Sequence, residues 1–154
     1  MSCSHSQTSL RTENKSGFEK YRVEKVNSEG KKYYETKYRP ARYREYFQSG
    51  TVTMTFNLKL VSMESGTVLS SKTVTTTKSD NIHYAHYSGN KNNLYPAGIS
   101  GNVNSSITSH NELVSLLGSR RDLKSASGMI EEATKGLASK VQSEVEAILL
   151  QTVK

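Results

Sequence analysis

Along residues 51–62 apolar and polar side chains alternate without a break. Val52, Met54, Phe56, Leu58 and Leu60 share one parity, and Thr51, Thr53, Thr55, Asn57 and Lys59 share the other. A period of two puts five large apolar groups on one face of a strand and leaves a Thr-rich face for solvent. Met63-Glu64-Ser65-Gly66 supplies a turn, and residues 67–78, with Val68, Thr73, Val74, Thr75, Thr76 and Thr77, read as the returning strand. A helix competes poorly there, because β-branched side chains lose χ1 freedom against the preceding turn. Residues 50–78 are therefore predicted to form a β-hairpin at the centre of the fold.

On the N-terminal side the pattern is weaker. Residues 1–16 are polar and rich in Ser and Thr, with Leu10 as their one large apolar residue besides Met1, and they read as a mobile arm. Tyr21–Val23 and Val26 begin a strand, Asn27-Ser28-Glu29-Gly30 turns the chain, and Lys32–Tyr38 runs back. Pro40 lacks a donor, which predicts an edge or a break at that point. Beyond the hairpin, residues 79–108 are dominated by Asn, Ser, Gly and His and read as loop, with Ile99, Val103 and Ile107 offering one short strand.

The C-terminal third changes period. Ser109-His110-Asn111-Glu112 has the capping-box pattern, Leu113, Leu116 and Leu117 follow on one helical face, and Gly118 closes the helix. A longer helix is predicted from an N-cap at Ser127. Its apolar stripe is Ile130, Ala133, Leu137, Val141, Val145 and Ile148, with Gly136 weakening it locally. The fold class that follows is α+β: an antiparallel sheet with a central hairpin, packed on one face by C-terminal amphipathic helices. Residues 17–154 are read as a single domain behind the arm.

Composition sharpens this picture in two ways. Hydrophobic residues make up 34% of the 154, with nine Tyr, three Phe and no Trp, so the core is thin and much polar surface remains. The net charge of +7 is uneven: residues 1–48 carry eleven Lys/Arg against six Glu, and the remainder ten against eight. A basic first third suits an acidic partner, an anionic surface or nucleic acid. The single cysteine, Cys3, excludes an intrachain disulfide and a cysteine-based metal cluster. No apolar run is long enough for a membrane-spanning helix, and no signal peptide is read in the chain as given.

The phosphate-binding, nucleophile-elbow and zinc-protease motifs are all missing, so the chain reads as non-enzymatic, with no cofactor and no metal. His83 and His86 would make a ligand pair only on a helix, which the surrounding Asn and Gly argue against, so they read as surface imidazoles in a tyrosine-rich loop. Lys and Arg interleave with tyrosine over residues 20–46, a pattern compatible with base stacking and phosphate contact. The plainer reading is a hairpin with solvated cations and amphipathic Tyr side chains, and the interspersed glutamates favour it. The candidate partner-binding residues are Tyr38, Arg39, Arg42, Tyr43 and Arg44 before the central hairpin, and Tyr84, His86, Tyr87 and Tyr95 after it.

The hairpin segment 58–71 also resembles a family signature. Bacterial envelope proteins of the curli-secretion channel (CsgG-type) group, and the related penicillin-binding-protein activator lipoproteins, carry a strand ending in L-V-(D/N)-x-x-T-G-x-(I/V)-L-x-S. Leu60, Val61, Gly66, Val68, Leu69 and Ser71 match it; Ser65 stands where Thr is usual and Ser62 where Asp or Asn is usual. The resemblance covers residues 50–78 and, more loosely, the terminal helix. It implies a structural or binding domain of the periplasm or outer membrane, partnered by another envelope protein or by itself, with Cys3 as a candidate lipidated residue. The alternative is a nucleic-acid-binding module using residues 20–46.

Overall fold

The predicted hairpin is the spine of the computed structural model, which describes the backbone of residues 1–152 and the side chains of residues 1–150. Five strands pair antiparallel: β1 (Ser2–Gln7), β2 (Arg11–Val26), β3 (Lys32–Val61), β4 (Val68–His86) and β5 (Leu94–Pro96). Two helices follow, α1 (Ile107–Leu117) and α2 (Ala126–Thr152). β3 pairs with β1, β2 and β4, and β2 also pairs with β5. At the β3–β4 turn Gly66 takes a φ of +68° and donates to Ser62 O at 2.9 Å, while Ser65 Oγ donates to Thr67 Oγ1. The turn therefore uses a left-handed glycine where the sequence places one.

The chain packs as two compact units, one comprising Met1–Ser9, Ser49–Asn81 and the chain from Leu123 on, the other Leu10–Gln48 and Ile82–Asp122. The sequence reading draws one domain over residues 17–154; each unit here has a core of its own. In the first, Val52, Met54 and Val74 from the sheet close on Met129, Ala133 and Leu137 of α2, with Phe56, Ile130 and Val141 at the margin. The predicted stripe of α2 is thus the buried one, with Met129 added at its start. On the other side of the sheet, the Thr51, Thr53 and Thr55 hydroxyls each lie 3.4 Å from those of Ser79, Thr77 and Thr75, which sets the β3–β4 register.

In the second unit, Tyr43, Ala85 and Leu94 pack against Leu113 and Leu117 of α1. β2 and β3 form a sixteen-pair hairpin, Arg11↔Phe47 to Val26↔Lys32. Its turn is closed by Asn27, whose Oδ1 accepts the Glu29 and Lys31 amides at 2.9 Å, and by Gly30 at a φ of +80°.

Several boundaries differ from the sequence reading. Residues 2–7 are a strand paired with residues 50–55, and residues 11–16 open β2, where a mobile arm was expected. The six side chains of β1 are all exposed, so only main-chain pairing holds it, and that leaves no apolar signature. Pro40 does not break β3. By the register that sets Tyr46 against Tyr84, His86 faces Arg44, so β4 has ended before Pro40 and no ladder bond is lost on that side. Residues 79–86 continue β4, and the short strand is Leu94–Pro96, while Val103 only bridges Ala97 and Ile107 begins α1. The N-cap of α1 is Ser106, whose Oγ accepts from Ser109 N at 3.4 Å, one turn before the expected box. Ser125 caps the first turn of α2, accepting from Gly128 N at 3.1 Å.

Candidate functional site: a basic hollow in the second unit

Alternation along β3 puts Arg42, Arg44 and Tyr46 on one side and Tyr43, Glu45 and Phe47 on the other. Tyr43 turns into the core and is buried; the same burial, aided by Glu45, pushes its hydroxyl pKa up and keeps it a donor. Arg42 and Arg44 are exposed. A hollow of about 340 Å³ opens beside them, lined by Asn14, Arg42, Tyr43, Arg44, Tyr46, His86 and Ser88. Asn14 arrives as the cross-strand partner of Arg44, and His86 sits at the end of β4. Tyr46 stacks on Tyr84 with centroids 4.8 Å apart and planes 12° from parallel, and the Arg121 guanidinium lies 5.6 Å from the Tyr84 ring.

The chemistry of this lining is one-sided. Two guanidiniums, an amide, an imidazole and three hydroxyls can all donate hydrogen bonds, and no carboxylate faces them. Among the described residues neither the Arg42 nor the Arg44 side chain makes an ion pair or hydrogen bond. Five other cations of the β2–β3 hairpin are paired: Arg11 with Glu13 at 2.6 Å, Arg39 with Glu19 at 2.8 Å, Lys32 with Glu24 at 3.3 Å, Lys25 with Glu35, and Lys15 with Glu13 and Glu45. Lys20, Arg22, Lys31 and Lys37 also make no ion pair among the described residues, but they lie outside the hollow, so Arg42 and Arg44 are its two open positive charges.

Of the nine candidate residues, Arg42, Tyr43, Arg44 and His86 line the hollow, and Tyr84 backs its wall. The other four belong to a second cluster with a packing role. Tyr38 meets Tyr95 edge to face at 5.5 Å, and Tyr95 stacks on His110 at 4.1 Å. Arg39 lies over Tyr21, 5.2 Å from its centroid, and shares Glu19 with the Tyr87 hydroxyl. The Tyr87 bond, then Arg39, hold the Glu19 carboxyl below its ordinary pKa. Burial first, and Glu19 second, push Tyr87 up to about 12.

His83 and His86 do not converge, because three residues along a strand reverse the side-chain direction. His83 stacks on Phe47 at 4.2 Å with its Nε2 3.7 Å from Glu45 Oε1, so it is no free loop imidazole. Among the described residues no three His, Cys, Asp or Glu side chains gather as a metal site. Asn14, Tyr46, Ser88 and Arg121 escape the sequence reading as site residues. The register of β4 on β3 brings Tyr46 to Tyr84, and only continuation of β4 through residue 86 reveals it. No family model, curated protein or solved structure matches the chain.

Proposed function

We propose that this chain is a non-enzymatic binding domain of the bacterial envelope that docks an acidic surface of a partner protein into the hollow of its second unit. The observation that carries the reading is the hollow itself, which brings Arg42 and Arg44, neither of them ion-paired, together with further hydrogen-bond donors and no carboxylate. Arginine and tyrosine are the side chains that most often anchor protein interfaces, and two guanidiniums about 7 Å apart along a strand can each take a carboxylate in bidentate fashion. The envelope assignment rests on the resemblance of residues 58–71. Recovery of the native protein in the cytoplasmic rather than the envelope fraction of cells would contradict it.

Nucleic acid binding over residues 20–46 draws less support. Cross-strand ion pairs neutralise Lys25, Lys32 and Arg39 within that stretch, and Tyr38 is engaged with another ring. Calorimetric titration with a ten-residue glutamate peptide and with a single-stranded oligonucleotide separates the two readings. The proposal expects the peptide to bind, and Arg42→Ala and Arg44→Ala each to weaken it about tenfold. Peptide affinity unchanged in both variants, or binding of the oligonucleotide alone, would overturn it.

A further inference from the structure

Residues opposite each other in the β2–β3 hairpin have the same parity, so even-numbered and odd-numbered positions form its two faces. The cations of the paired strands divide equally, five to a face, and the glutamates do not. Glu13, Glu19, Glu35 and Glu45 are odd, each is ion-paired with a cation of its own face, and α1 packs on that face at Tyr43. The even face sets Lys20, Arg22, Lys32, Arg42 and Arg44 against Glu24 alone, and Lys32 takes Glu24 at 3.3 Å. Four open cations remain on that face, Arg22, Arg42 and Arg44 fully exposed and Lys20 held over the Tyr95 ring, 5.6 Å from its centroid. Their order along the ribbon is regular. The cross-strand rows run Asn14↔Arg44, Ser16↔Arg42, Phe18↔Pro40, Lys20↔Tyr38 and Arg22↔Thr36. Successive rows lie about 7 Å apart, so the cations form two doublets on either side of the uncharged Phe18–Pro40 row, over about 27 Å.

We propose that this face, continuous with the basic hollow, holds an extended segment of the partner protein in which two acidic doublets flank an apolar residue. The inference rests on the reading of the hollow as a carboxylate site and adds the pattern the partner must carry. Alternate side chains of an extended chain also recur every 7 Å or so. Its first and third residues then meet Arg44 and Arg42, its fifth lies over Phe18 and Pro40, and its seventh and ninth meet Lys20 and Arg22. Charge selects this occupant over a second copy of the chain. A second copy brings a net +7, and the glutamates on its own hairpin strands are already ion-paired. Single-stranded nucleic acid needs rings on which bases can stack, whereas Tyr46 is packed on Tyr84 and Tyr38 against Tyr95.

The test is calorimetric titration of the full chain with the peptide Glu-Ser-Glu-Ser-Leu-Ser-Glu-Ser-Glu, with a scramble that groups its four glutamates, and with Glu-Ser-Glu, which spans the hollow alone. The ordered peptide should bind about tenfold more tightly than Glu-Ser-Glu and about threefold more tightly than the scramble. Arg22→Ala, at an exposed position without an ion pair, should weaken the ordered peptide about threefold. Lys37→Ala removes the same charge from the odd face and should leave its affinity unchanged. A scramble as tight as the ordered peptide, equal losses in Arg22→Ala and Lys37→Ala, or a loss in Arg42→Ala with none in Arg22→Ala would overturn the extended face and leave the hollow standing. Tighter binding of a nine-nucleotide single strand would overturn it in favour of nucleic acid, and no binding of any of the three peptides would overturn the hollow as well.

Discussion

Glu19 shows how one carboxylate organises the second unit. It accepts from the Tyr87 hydroxyl and from Arg39 Nη2, so three side chains remote in sequence depend on one another. Because its folded pKa is depressed, its stabilisation is present above the ordinary carboxylate range and is lost as pH falls through that range. Tyr87 behaves in the opposite sense. Its folded pKa is raised, so its contribution is intact below about 10 and is lost as pH rises from there toward about 12. Urea midpoints measured across pH should therefore decline at both ends. Tyr87→Phe should remove its alkaline component and cost about 1–3 kcal/mol near neutrality, since the Glu19 carboxylate loses a donor. An unchanged alkaline limb would show that Tyr87 does not feel Glu19.

At the scale of elements, β5 is held to β2 by three residue pairs, and Gly17↔Pro96 is one of them. A Cβ at Gly17 would meet the Tyr95 main-chain oxygen at 2.7 Å and the Tyr43 ring at 3.1 Å. Gly17→Ala should destabilise by about 1–3 kcal/mol, by forcing backbone apart as overpacking does, and denaturant unfolding reads it directly. Met129, 1% exposed in the other core, tests the opposite defect: Met129→Ala should cost about 2–5 kcal/mol by leaving a cavity. Legibility in the sequence followed the same physics. The Val52–Leu60 alternation and the α2 stripe were readable because burial imposes a period. β1, with Ser2, Ser4 and Ser6 opposite Thr55, Thr53 and Thr51, buries no side chain and so left no apolar mark. The last turns of β4 were hidden for a related reason. Asp80, buried through its bond to Lys124 N, breaks the apolar pattern between Thr76 and Ile82.

At the scale of the molecule, charge and its neutralisation decide what is available. The first 48 residues carry a net charge of +5, from eleven cations and six glutamates, and of the cations without an ion pair only Arg42 and Arg44 line the hollow. Their two site residues were legible as basic positions in the sequence. Their convergence with Asn14, His86 and Ser88 was not, because it depends on the strand register and on how far β4 runs. The measurement that tests the central claim most directly is a chemical-shift map of the full chain titrated with the glutamate peptide at low salt. The account predicts that the Arg42 and Arg44 guanidinium N–H signals move together with amides at Asn14, His86 and Ser88, and that the shifts collapse as salt rises. Shifts centred on Tyr38, Arg39 and Tyr95, with the Arg42 and Arg44 guanidinium signals unmoved, would contradict it.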